Sequence, residues 1–258
     1  MQRWNVGKVF EIINFISQAT VTHCKALLKT EMNEIIILSE GYSKYEEEPT
    51  SKPDAPMLAN CTCTLIKGPD CNVIVDTMTP WDGDLLLQRL QEHQLHPDDI
   101  DYVVSTHGHS DHLGNNNLFL RAKRHIVGTN ISHRNRYYVH DFDAAPFRLT
   151  DDIEIQATPG HTMSCVTVLV ARSNLSPDGE LPVAIVGDLF ERQQDIDDER
   201  LWLDAGSEDA RAQRFHRARI ANRAEWIIPG HGGLFRVDAS VREKLKHQAE
   251  PETMDSVM

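Results

Sequence analysis

Seven side chains of metal-binding type fall into four short runs of this 258-residue chain. The densest is His107-Gly108-His109-Ser110-Asp111-His112, just after the apolar run Tyr102-Val103-Val104-Ser105. In an extended segment alternate side chains share a face, so His107 and His109 point the same way, while Asp111 and His112 fall past the strand end and turn toward a second point. Three single-ligand turns follow: His161 in Thr158-Pro159-Gly160-His161, Asp188 after Val183-Ala184-Ile185-Val186-Gly187, and His231 in Pro229-Gly230-His231-Gly232. Each sits where an apolar run ends at Gly or Pro, where a rigid element hands a side chain to a site.

Imidazole and carboxylate donors without cysteine suit zinc, iron or manganese, and zinc is the commonest hydrolytic choice. The arrangement expected is two zinc ions per chain, with iron or manganese as alternatives. His107, His109 and His161 would take one ion, Asp111, His112 and His231 the other, and Asp188 would bridge them at roughly 3.5–4 Å separation. Such a pair lowers the pKa of a shared water from about 15.7 toward 7, so hydroxide is at hand near neutral pH without a side-chain base. Asp111 is the expected catalytic carboxylate, holding or shuttling the proton of that water. The set calls for hydrolysis and leaves the electrophile, carbonyl or phosphorus, open. His23, His93, His96, His216 and His247 stand alone and read as surface or core residues.

The elements that must position these ligands are strand-like runs at 34–38, 62–66, 73–76, 102–105, 125–127, 153–157, 164–171, 183–186 and 226–228. Helical patterns cover 82–93 and 208–223. Two β-rich halves flanked by helices give an α+β chain, a four-layer αβ/βα sandwich with its ligands gathered along one edge. Asp76, ending the run Val73-Ile74-Val75, is expected to brace the metal loop through hydrogen bonds, and Gly108 and Gly114 to allow tight turning. Glu191 and Arg192 follow Asp188 closely and read as supporting groups, substrate contacts or an ion pair. The organisation expected is an extension over 1–30, a hydrolase domain over 31–240 and a tail over 241–258, because ligands from His107 to His231 must converge in one domain.

Five cysteines form no evident disulfide framework and imply a reducing compartment. No run of about 18 apolar residues exists, so no membrane span is expected. The net charge of -13 disfavours general nucleic-acid affinity. Charge is nevertheless segregated: between His112 and His140 there is no acidic residue, while Arg121, Lys123, Arg124, Arg134 and Arg136 occur there. A second basic run, Arg211, Arg214, Arg217, Arg219 and Arg223, reads as a solvated helix face paired with neighbouring carboxylates.

Together, Val75-Asp76-Thr77, the stretch Ser105 to Asn115, Gly187 to Arg192 and Pro229 to Gly232 resemble the metallo-β-lactamase superfamily, over about Ile35 to Val237. What the resemblance implies is the metallo-β-lactamase fold and, from the branch that these stretches resemble most, a homodimeric dinuclear zinc hydrolase. That branch carries a proposed endoribonuclease role in 3′-end processing of histone pre-mRNA, so single-stranded RNA is the expected substrate, in the cytosol or the nucleus. A bridging aspartate at Asp188 departs from true β-lactamases and fits thioesterases, lactonases and nucleases. The rival readings are a thioester or lactone hydrolase of glyoxalase II-like type acting on a small acyl substrate, an iron persulfide dioxygenase, and a non-catalytic scaffold. The glyoxalase II type carries a long helical domain after its last histidine, for which this sequence has no room.

Overall fold

The computed structural model describes residues 32–46 and 56–250. The extension expected over 1–30 and the last eight residues of the expected tail lie outside them. The unit beginning at Asn33 holds two large sheets. The first runs in the order β1 (Glu34–Ser39), β4 (Cys63–Lys67), β5 (Asn72–Val75), β6 (Tyr102–Ser105), β7 (Arg124–Val127), β8 (Asn130–His133), β9 (Arg136–Tyr138). β2 (Tyr42–Tyr45) and β3 (Met57–Asn60) pair separately. The second sheet runs in sequence order through β10 (Phe147–Arg148), β11 (Ile153–Ala157), β12 (Val166–Val170), β13 (Val183–Gly187), β14 (Trp226–Pro229) and β15 (Phe235–Arg236). Among the described residues the α-helices are α1 (Gly83–Glu92), α2 (Ser110–Leu113), α3 (Arg200–Leu203), α4 (Ala210–Ala221) and α5 (Ala239–Ala249). No helix of the described residues is long and apolar enough to cross a membrane.

Three apolar layers hold this stack together. Val75, Val104 and Ile126 of the first sheet meet Ile155, Val168, Ile185 and Ile228 of the second. On the outer face of the first sheet, Ile74 and Val103 pack with Leu86 and Leu90 of α1. Outside the second sheet, Val186 and Ile227 pack with Ile220 of α4 and Leu245 of α5. Successive strand residues such as Val103 and Val104 therefore enter different layers, which is why central strands read as continuous apolar runs rather than alternating ones. The result is the four-layer αβ/βα sandwich.

Strand polarity decides where the ligands go. β5, β6 and β7 are mutually parallel, as are β13 and β14. Their carboxyl ends, at Asp76, Thr106, Asp188 and Gly230, all open on one edge, the usual place for a ligand in a sheet with parallel strands.

Three features differ from the sequence reading. β8, β9, β10 and β15 are short strands without an apolar alternation to reveal them. α5 spans the boundary expected near residue 240 and is tied to the body: Arg242 donates to the Ala221 and Ala224 carbonyls and Gln248 to that of Ile196. The basic run 211–223 is only in part a solvated face: Arg211 and Arg223 are exposed, whereas Arg217 is buried. Arg214 pairs with Glu199 and Arg223 with Glu154, partners distant in sequence, while Arg219 donates to the Ala157 carbonyl.

Arg217 is fully buried and forms a two-pronged pair with Asp195, at 2.6 and 3.1 Å. Its guanidinium also donates to the Leu189 carbonyl and lies 4.0 Å from the Phe190 ring centre. Removing one partner of such a pair strands a charge in a dry interior. We expect Arg217→Ala to lower unfolding free energy by about 3–5 kcal/mol, and Arg217→Met, paired with Asp195→Asn, which keeps an acceptor for the Glu191 amide, to recover part of it. Urea titrations read both; a single variant as stable as wild type would contradict the clamp.

Candidate metal centre

All seven ligand-type residues named from sequence converge on that one edge. His107, in the turn after β6, is fully buried; its Nε2 lies 2.9 Å from His109 Nδ1. His161, on the turn after β11, brings its Nε2 to 3.1 Å from the same His109 nitrogen. Asp188 closes the group, with Oδ2 at 3.5 Å from His107 Nε2 and 3.3 Å from His161 Nε2. A second group surrounds His231: its Nε2 is 3.3 Å from Asp188 Oδ2 and 3.7 Å from Asp111 Oδ2. His112, on α2, places Nε2 at 3.2 Å from Asp188 Oδ1 and 3.7 Å from Asp111 Oδ2. Asp188 thus joins both groups: Oδ2 faces His107, His161 and His231, and Oδ1 faces His112.

These spacings fit metal ions better than hydrogen bonds. Four donors about 2.0–2.1 Å from one tetrahedral ion sit roughly 3.3 Å from each other, and the measured separations bracket that value. The imidazoles are also turned for the purpose. Nδ1 of His112 faces Asp76 Oδ2 at 2.9 Å, Nδ1 of His231 faces the Asn60 carbonyl at 2.9 Å, and Nδ1 of His107 faces Thr106 Oγ1 at 3.2 Å. An acceptor at the far nitrogen keeps the proton there and aims the Nε2 lone pair inward. His112 Nε2 and Asp188 Oδ1 are buried with no hydrogen-bond partner, an arrangement that a cation would satisfy.

The electrostatics carry the same message. Burial, reinforced by His112, holds the His107 imidazolium well below its ordinary range. Burial opposes charge on His112 too, but Asp188 and Asp76 outweigh it and raise its pKa well above normal. For His231 burial is again outweighed by Asp188, and the pKa is pushed up to about 9. Burial works against ionised Asp188, yet His112, His231 and His107 hold its carboxyl well below the usual range. Burial and Asp188 push Glu191 up to about 8. Buried carboxyls and imidazoles at this spacing push one another's ionisation in opposite directions, and divalent cations among them would compensate the buried negative charge.

Local backbone explains how the groups come so close. Gly187 has φ +53°, and a Cβ there would strike Thr106. A Cβ on Gly230 would overlap Asp188 Oδ1. Glycine is required at both points by close approach. Asp76 has φ +59° and ties β5 to the ligand loop, accepting from the Thr106 amide at 2.7 Å as well as facing His112. Gln213 of α4 donates to the Asp188 carbonyl at 2.9 Å, and Asp195 accepts from the Glu191 amide at 2.7 Å. His109 alone of the five histidines is exposed, and Asp111 is half-buried, so approach from solvent is on their side.

Sequence reasoning missed the Asn60 carbonyl and Thr106 as orienting groups. A main-chain acceptor leaves no signal in residue type, while Thr106 sits inside the motif itself. The ion pair entertained for Glu191 and Arg192 does not form. Arg192 donates to the Ser43 carbonyl at 2.7 Å, and Glu191, buried, accepts from Ser43 Oγ at 3.2 Å. The four described cysteines are buried and unpaired.

A family model for the metallo-beta-lactamase superfamily matches residues 57–171. The chain is 44% identical over 205 residues to "Metallo-beta-lactamase domain-containing protein 1" of Xenopus laevis, covering 78% of this chain and 80% of that one. It is 38% identical over 183 residues to the Homo sapiens protein of the same name, covering 70% of this chain and 63% of that one. Among solved structures, a Thermotoga maritima protein assigned as a metallo-beta-lactamase superposes with TM-score 0.55 at 18% identity, covering 80% of this chain and 100% of that one. At that identity the likeness is one of fold.

Bracing groups of this kind typically contribute 10–100-fold to metal affinity. Asp76→Asn keeps the shape and a residue tolerant of positive φ but removes the anion behind His112, so zinc affinity should fall by about that factor with circular dichroism unchanged. Equal affinity in calorimetric titration would show that Asp76 serves the fold alone.

Proposed function

Since the chain belongs to the metallo-β-lactamase superfamily and is a metal-dependent hydrolase, we propose that it is a dinuclear zinc phosphodiesterase that cleaves single-stranded RNA. The observation that supports a polyanionic substrate is the edge of the sheet that carries the ligand loop. The segment 113–140, which carries β7, β8 and β9, contains no acidic residue, although the whole chain has net charge -13. Arg124 lies over the Tyr138 ring at 4.1 Å, and Arg134, Arg136 and Tyr137 are exposed beside them. Tyr138 is in register with Ile131, Ile131 with Ile126, and Ile126 with Val104 of β6. Three strand spacings of about 4.8 Å put β9 roughly 14 Å from the strand that ends in the ligand loop. Arg124 is level with Tyr102 at the amino end of β6 and Arg136 pairs with His133 at the matching end of β8, so a single strand bound here by phosphate neutralisation and base stacking would run along the outer sheet edge toward the site.

Divalent ions held by the seven ligand-type residues would supply an acidified water and a sink for negative charge on the substrate. The chain's own residues do the rest. Asp188, held through Gln213 and its own carbonyl, fixes the spacing of the two ligand groups. Asp111, half-exposed with Oδ2 facing His112 and His231, can hold the proton removed from water and present it to the departing oxygen. Exposed His109 and Gly108 form the open side through which the scissile group approaches. By the resemblance of its motifs, the RNA proposed is histone pre-mRNA at its 3′ end, met by a homodimer in the cytosol or nucleus.

The test is incubation of the zinc-loaded protein with short single-stranded RNA, in parallel with a thioester and a lactone. RNA should be cut, Asp188→Ala and His109→Ala should remain folded without activity, and Arg124→Ser with Arg136→Ser should weaken RNA binding while lowering its salt dependence by about one counterion per cation removed. Turnover of the acyl compounds alone would overturn the RNA reading and leave the hydrolase intact.

A further inference from the structure

Three carboxylates, not two, approach His231 Nε2. Asp188 lies at 3.3 Å, Asp111 at 3.7 Å and Glu191 at 4.0 Å. Two ligands of one ion can be no farther apart than twice a bond of about 2.1 Å, roughly 4.2 Å; each carboxylate meets that limit against His231, and Glu191 gathers with Asp188 and His231 as Asp111 does with His112 and His231. Glu191 is 1% exposed, and its Oε2 accepts one hydrogen bond, from the Ser43 hydroxyl. A buried carboxylate with so little compensation calls for a cation or a proton. The structural work done at this position needs only main chain: the Glu191 amide donates to Asp195 and its carbonyl accepts from the His231 amide at 2.8 Å. The side chain is free for another task. On the same side, His112 Nε2 and Asp188 Oδ1 are buried and lack hydrogen-bond partners.

We propose that Glu191 is a further metal ligand, taken together with Asp188 and His231, and that it makes the His231 side of the centre oxygen-rich. The inference rests on the dinuclear reading above. The two positions then differ in chemistry. His107, His109 and His161 with Asp188 offer three nitrogens and one oxygen, a set suited to zinc. On the other side Asp188 and Glu191 bring two oxygens to the nitrogen of His231, beside Asp111 and His112, a set that accepts a harder divalent cation such as manganese.

The experiment uses the full chain stripped of metal, given one equivalent of zinc and then titrated with manganese(II), with free manganese followed by electron paramagnetic resonance. Wild type and Glu191→Gln should take up the zinc equally, and the variant should bind manganese at least about tenfold more weakly. Ser43→Ala, which removes only the hydroxyl that orients Glu191, should fall between them; it carries the test if circular dichroism shows Glu191→Gln to be unfolded. Manganese affinity unchanged in the folded variants, or absent in wild type, overturns the proposal. A wild-type chain that takes up no zinc at all overturns instead the dinuclear reading on which it stands.

Discussion

A carboxylate buried among four imidazoles sets the terms for the rest of this molecule. Asp188 lies within 3.5 Å of the inward nitrogens of His107, His112, His161 and His231. One carboxylate cannot satisfy so many inward nitrogens at once, and the outer nitrogens of His107, His112 and His231 are already engaged by Thr106, Asp76 and the Asn60 carbonyl. The arrangement is stable when cations fill it, and the surrounding fold is arranged to hold the donors in place until they do.

That holding takes effort from every layer. The parallel strands β5, β6, β13 and β14 deliver four loops to one edge, and the two glycines flanking Asp188 and His231 let those loops nearly touch. Behind them, α4 pins the segment 188–195 through Gln213 and the buried Arg217–Asp195 pair. A buried pair of this kind adds little net stability over apolar replacements, so its value here lies in fixing one conformation of the Asp188 loop. Bracing groups at the far nitrogens then choose which face of each ring meets the centre.

Much of this was legible in the residues. Strands covered on both faces announce themselves as unbroken apolar runs, and those at 73–75, 102–105 and 183–186 carry the ligand loops. His107, His109, Asp111 and His112 were readable because four donors in one window have few other uses. What sequence hid was long-range. Arg217 looks like its neighbours Arg214 and Arg223 until its partner, twenty-two positions away, closes over it. Edge strands such as β9 face water and owe nothing to apolar pattern. Glu191 shows only as one acid beside an arginine, because its nearness to His231 depends on two loops meeting in space.

The most direct test of the account is anomalous diffraction from crystals of the metal-loaded protein. It predicts two peaks per chain on either side of Asp188, one beside His107, His109 and His161 and the other beside Asp111, His112 and His231. A chain that binds metal elsewhere, or shows no peak within reach of Asp188, would contradict it.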